Sequence, residues 1–373
     1  MMMLLLNQLY PCRLQIAVPE IALLLLASQY QPSADQQTQI ASLINAVTDW
    51  DAFVDLAVEH RVYPLVFWNL RAFTVNGQIP STAAKPLQEA FSQNLFSCIR
   101  MEREFVRVMT ALEQNGIAAL TMRGPVLGQM LYGQSWIRDA KDLDLLVDKP
   151  QYAAAETTLL ALGYKREVEI EDNAYNQRLF NAETGIQIEL HWALDSPFMP
   201  VEVTWQTVWE RAQPETFEGV AIRAFSDLDL LMMLCFHGAK HRWSRLKWLC
   251  DVAEFIRLRP AFDWDAALQT ARAMRIERIF LVTLAMTRDL FGTALPPHIE
   301  QIINRHPIVK HLARYIKYWI FNQGERHAIE QIRGIAFFLL AREHNRDRYP
   351  SIQHALRHPK SPLIRKLLRR TTA

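Results

Sequence analysis

The chain has 373 residues, half of them hydrophobic and 21% charged, with a formal net charge of +2. That length suggests two or three domains rather than one core, and a near-neutral charge gives no field of the kind that marks a nucleic-acid partner. Only 12 glycines among many Leu, Ala, Arg and Glu residues point to a mostly helical chain, and Cys12, Cys98, Cys235 and Cys250, without CxxC spacing, read as reduced thiols of a cytoplasmic protein rather than a disulfide frame or zinc knuckle.

The opening "MMMLLLNQLYPC" is apolar but lacks a basic n-region and a cleavage site, and "IALLLLAS" falls far short of the roughly 20 apolar residues of a membrane span. Neither reads as an export signal, and no transmembrane segment is expected. Residues 18 to about 115 read as helices. Pro19 sits near one helix start. "DWDAFVDLAVEHRVYPLVFWNL" has helical apolar spacing broken at Pro64. A long amphipathic helix then runs from "AAKPLQ" to a stop at Gly116.

The pattern changes after Gly116. "IAALTM" reads as a strand, "GPVLGQMLYG" as a turn and helix, and "DLDLLV" as a second strand. "PQYAAAETTLLALGY" is a helix closed by Gly163. "EVEIEDNAYNQRLFN" and "GIQIELHWAL" read as further strands with "NAETG" as the turn between them. Helices resume at "SDLDLLMMLCFHGAKH", capped by Ser226, and continue to the end.

Two strands carry carboxylates where a strand ordinarily avoids them. Residues i and i+2 of a strand share a face. Asp142 and Asp144 therefore face one way, and Leu143, Leu145 and Val147 the other. The apolar face suits helix packing; the acidic face must meet water, cations or a basic partner. In "GIQIELHW", Glu189 likewise alternates with Ile186, Ile188 and Leu190. If the two strands are neighbours, three carboxylates converge, and hard divalent cations favour such oxygen ligands. Two such ions can clamp a triphosphate and activate a hydroxyl. Upstream, Gly124 permits close backbone approach, and the helix N-terminus it opens favours phosphate.

The ordered set of strand, Gly124, helix, "DLDLLV", helix, strand and "IELHW" resembles the nucleotidyltransferase superfamily of the DNA polymerase beta type. More narrowly, "RGPVLGQMLYG", "DLDLLV", "LLALGY", "IELHW" and "LCFHGAKHRWSRLKWLCD" resemble an uncharacterised bacterial nucleotidyltransferase family with helical extensions on both sides. The resemblance implies an α+β fold: a small mixed β-sheet core flanked by N- and C-terminal helical domains, predominantly helical overall. The expected divisions are residues 1–115, 116–215 and 216–373. It implies transfer of a nucleoside monophosphate from a nucleoside triphosphate, ATP foremost, to an acceptor hydroxyl, with Mg2+ (or Mn2+) and release of pyrophosphate. Carried over by position, Asp142 and Asp144 would bind both metals, Glu189 would hold the catalytic metal and help deprotonate the acceptor, and Gly124 would face the β- and γ-phosphates. The sequence departs from the superfamily twice. Pro125 stands where Gly or Ser is usual, leaving Arg123 as the compensating cation, and the third carboxylate is Glu rather than Asp.

In the same resemblance the basic segment after Ser226 would face the cleft. His237, Lys240 and His241 share a helix face. Lys240 and Lys247 would contact the triphosphate, and His237 and His241 would line the site. Arg138 would orient a carboxylate or meet phosphate, although a loop charge is the plainer reading. The plainer reading of this segment is a solvated cationic helix face on which Asp251 only pairs with Lys247 at i+4. His191 and Trp192 are candidates to stack on a base, with core packing the plainer reading for Trp192. A zinc site at His237 and His241 is the rival for that helix, but Gly238 replaces the Glu of HExxH. The basic tail "RHPKSPLIRKLLRR" reads as a solvated terminal helix or frayed tail. Rivals to the transferase are a scaffold protein that keeps the fold without turnover and a metal-dependent hydrolase. The acceptor, whether small molecule, sugar, peptide or protein, is not written in the sequence.

Overall fold

A computed structural model describes residues 18–167, 175–194 and 201–322, with residues 337, 339–344 and 347–348. The apolar opening with Cys12, part of the strand expected over 167–181, and the basic tail lie outside the described residues.

Five helices come first: α1 (Pro19–Ala27), α2 (Ala34–Ile44), α3 (Trp50–Glu59), α4 (Tyr63–Val75) and α5 (Ser81–Gln114). Pro19 and Pro64 each lie at the first or second position of a helix, where no intrahelical donor is lost. Ser33 starts α2 with a capping box to Gln36. The long helix α5 stops at Gly116, whose φ of 68° an L side chain rarely adopts.

The αβ part comprises β1 (Ala119–Thr121), α6 (Pro125–Tyr132), β2 (Asp142–Val147), α7 (Tyr152–Ala161), β3 (Lys165–Arg166), β4 (Asn176–Asn181), β5 (Ile186–His191), α8 (Trp205–Arg211), β6 (Gln213–Phe217) and β7 (Val220–Ala224). They form one mixed sheet in the order β3-β4-β5-β2-β1-β7-β6. β2 is antiparallel to β1 and parallel to β5. The chain continues through α9 (Asp227–Lys240), α10 (Lys247–Leu258), α11 (Trp264–Ala273), α12 (Glu277–Phe291), α13 (Pro297–Arg305) and α14 (Pro307–Phe321). Ser226 caps α9 by accepting from Asp229 N at 3.2 Å. The fold is thus α+β and predominantly helical, with a small mixed sheet set between helical regions.

The sheet separates two apolar cores. One joins the second half of α5 (Cys98, Met101, Phe105, Val108) to Leu143, Leu145 and Val147 of β2 and Ile186, Ile188 and Leu190 of β5. The other is built from the helices before and after the sheet and takes Leu120 and Leu146 from the opposite face. No described helix is long and apolar enough to cross a membrane. Cys98, Cys235 and Cys250 are buried and free.

Candidate active site

β2 and β5 run side by side in a register that sets Asp142 opposite Gln187, Asp144 opposite Glu189 and Leu146 opposite His191. Alternation puts Asp142, Asp144, Glu189 and His191 on one face. A carboxylate oxygen from each of Asp144 and Glu189 and a ring nitrogen of His191 lie within 4.8 Å of one another. His191 Nε2 is 3.4 Å from Asp144 Oδ1 and 3.5 Å from Glu189 Oε2. From β4, Asn176 Nδ2 donates to Glu189 at 3.3 Å and Arg178 Nε at 3.1 Å. Asp142, half-buried at the start of β2, stands beside this group of three rather than in it.

Asp144 is 1% exposed. Its Oδ1 accepts Arg123 Nη2 at 2.5 Å. Its Oδ2 is buried with no hydrogen-bond partner among the described residues. Asp144 is therefore closed off from bulk water and meets a basic partner, whereas Asp142 and Glu189 stay half-buried. Burial pushes the Asp142 carboxyl up, and the Asp144 charge adds to it, to about 6. Burial acts on Asp144 in the same sense, but Arg123 and His191 outweigh it and hold that carboxyl well below the usual range. Burial disfavours the His191 imidazolium; hydrogen bonds to Asp144 and Glu189 overcome this and raise its pKa.

Gly124 links β1 to α6 at φ 75° and ψ −150°, with Pro125 in the first turn. A Cβ on Gly124 would sit 3.2 Å from the Asp142 carbonyl oxygen, so only glycine lets the turn lie against β2. The turn aims Arg123 at two partners. Besides Asp144, its Nη1 lies 2.5 Å from the His237 ring nitrogens. Burial and then the Arg123 charge hold His237 neutral. Lys240, one turn on along α9, donates to Tyr175 Oη at 2.6 Å, and the Tyr175 ring centre is 6.0 Å from that of His191. His241 stacks on Trp248 at 4.9 Å. The helix α9 thus reaches the acidic face through His237 and Lys240.

Arg138 and Lys247 lie in a buried network behind that face. Arg138 Nε donates to both Asp251 carboxylate oxygens at 3.1 and 3.0 Å, and Tyr132 Oη donates to Asp251 at 3.0 Å. Lys247 Nζ turns instead to the Asp139 carbonyl at 2.8 Å, so Asp251 pairs with Arg138 and not with its i+4 neighbour. Burial, with Arg138 and Arg61 close by, drives the Lys247 pKa well down. Trp192 packs edge-on against Tyr152 at 4.5 Å. No third ligand joins His237 and His241 in a metal-binding group among the described residues. Gly238 between them has a packing cause, since a Cβ there would meet Trp243 Nε1 at 2.4 Å.

Sequence reasoning missed Asn176 and Arg178, whose only signal is the strand register that puts Arg178 opposite Glu189. It considered His191 as a stacking residue; the i+2 rule that pairs it with Glu189 was the better signal.

A family model described as an uncharacterised nucleotidyltransferase matches residues 46–292, about two thirds of the chain. No curated protein and no solved structure matches it.

Proposed function

The chain belongs to the uncharacterised nucleotidyltransferase family, and on that footing we propose that it transfers a nucleoside monophosphate from a nucleoside triphosphate to an acceptor hydroxyl at the Asp142, Asp144 and Glu189 face. One observation carries this reading: Asp144 and Glu189 meet across parallel strands beside a buried Asp144 oxygen that lacks a hydrogen-bond partner among the described residues. Such an oxygen is costly to bury unsatisfied. Its surroundings of carboxylate donors fit a hard divalent cation such as Mg2+ or Mn2+. Asp144, Glu189 and Asp142 would hold it, with His191 bracing the first two. When bound, the cation would offset negative charge on the triphosphate and favour ionisation of the acceptor hydroxyl.

The chain's own groups bind and orient. Arg123, beside the Gly124 turn and the start of α6, is placed for the triphosphate, with Lys240 and neutral His237 beside it. Glu189, oriented by Asn176 and Arg178, takes the acceptor proton as the acceptor oxygen bonds to the α-phosphorus and the bond to pyrophosphate breaks. Arg138 and Lys247 act from behind: they fix the segment that enters β2. The ordered motifs support membership of the polymerase beta-type superfamily and a bacterial origin; ATP is taken as the first triphosphate to test, the base preference not being written in the motifs. The buried free thiols support a cytoplasmic setting.

Pro125 favours a second reading, a nucleotide-binding scaffold without turnover, because it removes an amide and a hydroxyl from the phosphate cradle. Transfer from ATP labelled at the α- or the γ-phosphate, incubated with lysate as acceptor source, separates the readings. The transferase places the α-label, and never the γ-label, on an acceptor, and Asp144→Asn abolishes it. γ-Label transfer, or release of inorganic phosphate alone, contradicts the proposal; magnesium-dependent binding without transfer favours the scaffold.

A further inference from the structure

His191 follows Glu189 by two residues on β5, so the strand period that turns Glu189 onto the acidic face turns the imidazole there too. The residue is 3% exposed, and the ring has no open face for a base. β2 sets Leu146 opposite it and offers no polar side chain at that position.

The spacings around the ring are wide for hydrogen bonds and suit ligands of one ion. His191 Nε2 stands 3.4 Å from Asp144 Oδ1 and 3.5 Å from Glu189 Oε2. A charge-assisted N–H···O bond closes to about 2.7–2.9 Å. Two donors that share a divalent cation at about 2.1 Å stand about 3.0–3.4 Å apart, from octahedral to tetrahedral arrangement. The observed spacings lie at the upper end of that span.

The other contacts of the two carboxylates leave room for this role. Arg123 takes Asp144 Oδ1, and Arg178 takes Glu189 Oε1. Asp144 Oδ2 is buried without a partner among the described residues, and Glu189 Oε2 is 3.3 Å from Asn176 Nδ2. Each carboxylate is thus anchored by an arginine at one oxygen, as outer groups orient the ligands of a metal.

We propose that His191 is itself a ligand of the cation, through Nε2, so that the face offers one nitrogen with two carboxylates and selects Mn2+ or another first-row transition ion over Mg2+. Imidazole suits such ions, whereas Mg2+ keeps to oxygen donors and water. A ligand imidazole is neutral, so the cation takes the place of the proton that Nε2 shares with the carboxylates in the free chain. The ligand set stands on the geometry; its service to a triphosphate rests on the nucleotidyltransferase reading.

The test is pulsed electron paramagnetic resonance of Mn2+ bound to the full chain without nucleotide, compared with the same chain carrying 15N-histidine. The modulation of a directly bound 14N imidazole is expected in the first and is replaced by the 15N pattern in the second. This comparison uses the unaltered chain, so it decides nitrogen coordination even where a variant fails to fold. His191→Ala removes the modulation. Calorimetry with Mn2+ and with Mg2+ reads the preference: His191→Asp, which puts oxygen in place of nitrogen, lowers Mn2+ affinity relative to Mg2+ about tenfold or more. A ring that only braced the carboxylates would shift both ions alike. Bound Mn2+ without histidine modulation, modulation that survives His191→Ala, or an unchanged Mn2+ to Mg2+ ratio overturns the proposal and leaves the transferase reading on its carboxylates. A folded chain that binds neither ion, with or without a triphosphate, overturns both. Histidine-bound Mn2+ in a chain that binds no triphosphate upholds the ligand and overturns the transferase reading.

Discussion

At Gly124 the backbone is left-handed and lies against β2 where Asp142 begins. An alanine there meets both a strained φ and the Asp142 carbonyl, so Gly124→Ala is expected to cost about 1–3 kcal/mol. It also displaces the carboxylates, so magnesium-dependent nucleotide binding weakens more than stability alone explains. Urea denaturation beside nucleotide titration checks both; a loss below about 0.5 kcal/mol, the range of a neutral surface change, contradicts the geometry. At this scale the sequence was informative where chemistry follows alternation. Asp142, Asp144 and Glu189 share a face because strands have period two. Arg138 and Lys247 show the limit: their charge is visible in the sequence, but their burial against Asp251 and Asp139 depends on tertiary packing.

Among the elements, β2 occupies "DLDLLV" as read, since five of its six residues are buried and bounded by polar neighbours. The β6–β7 hairpin had a weaker signal. Pro214 argues against a strand, and it is tolerated because β6 is the sheet's edge. Its turn is legible only in hindsight, at Glu218 and Gly219, both with positive φ. The end of α3 carries a pH-dependent feature. His60 is fully buried, both ring nitrogens lack partners among the described residues, and burial with the Arg245 charge lowers its pKa from 6.5 to about 4. The unfolded chain binds that proton more tightly. Its contribution is therefore complete above pH 6.5 and is lost as the pH falls toward 4. The loss is expected to be about 2–4 kcal/mol. Denaturation at pH 7 and near pH 4, compared between wild type and His60→Leu, should show a steeper acid loss in the wild type; equal slopes contradict it.

For the whole molecule, the sheet serves as a partition between two cores, and the acidic face lies where β2, β5 and α9 meet. The helical flanks and the strands between them followed from composition and periodicity, and the α+β class from the resemblance that their order carries. The way the flanks close over the face did not, because Arg123 reaching His237 and Lys240 reaching Tyr175 join residues more than 60 positions apart. The central claim is that this carboxylate face holds a divalent cation against a nucleoside triphosphate. Calorimetric titration of each nucleoside triphosphate, with and without Mg2+, on wild type and Asp142→Asn/Asp144→Asn tests it most directly. Magnesium-dependent binding by the wild type, lost in a double variant that remains folded, is the predicted result. Binding that ignores magnesium, survives the substitutions, or fails for every triphosphate in a folded wild type would contradict it.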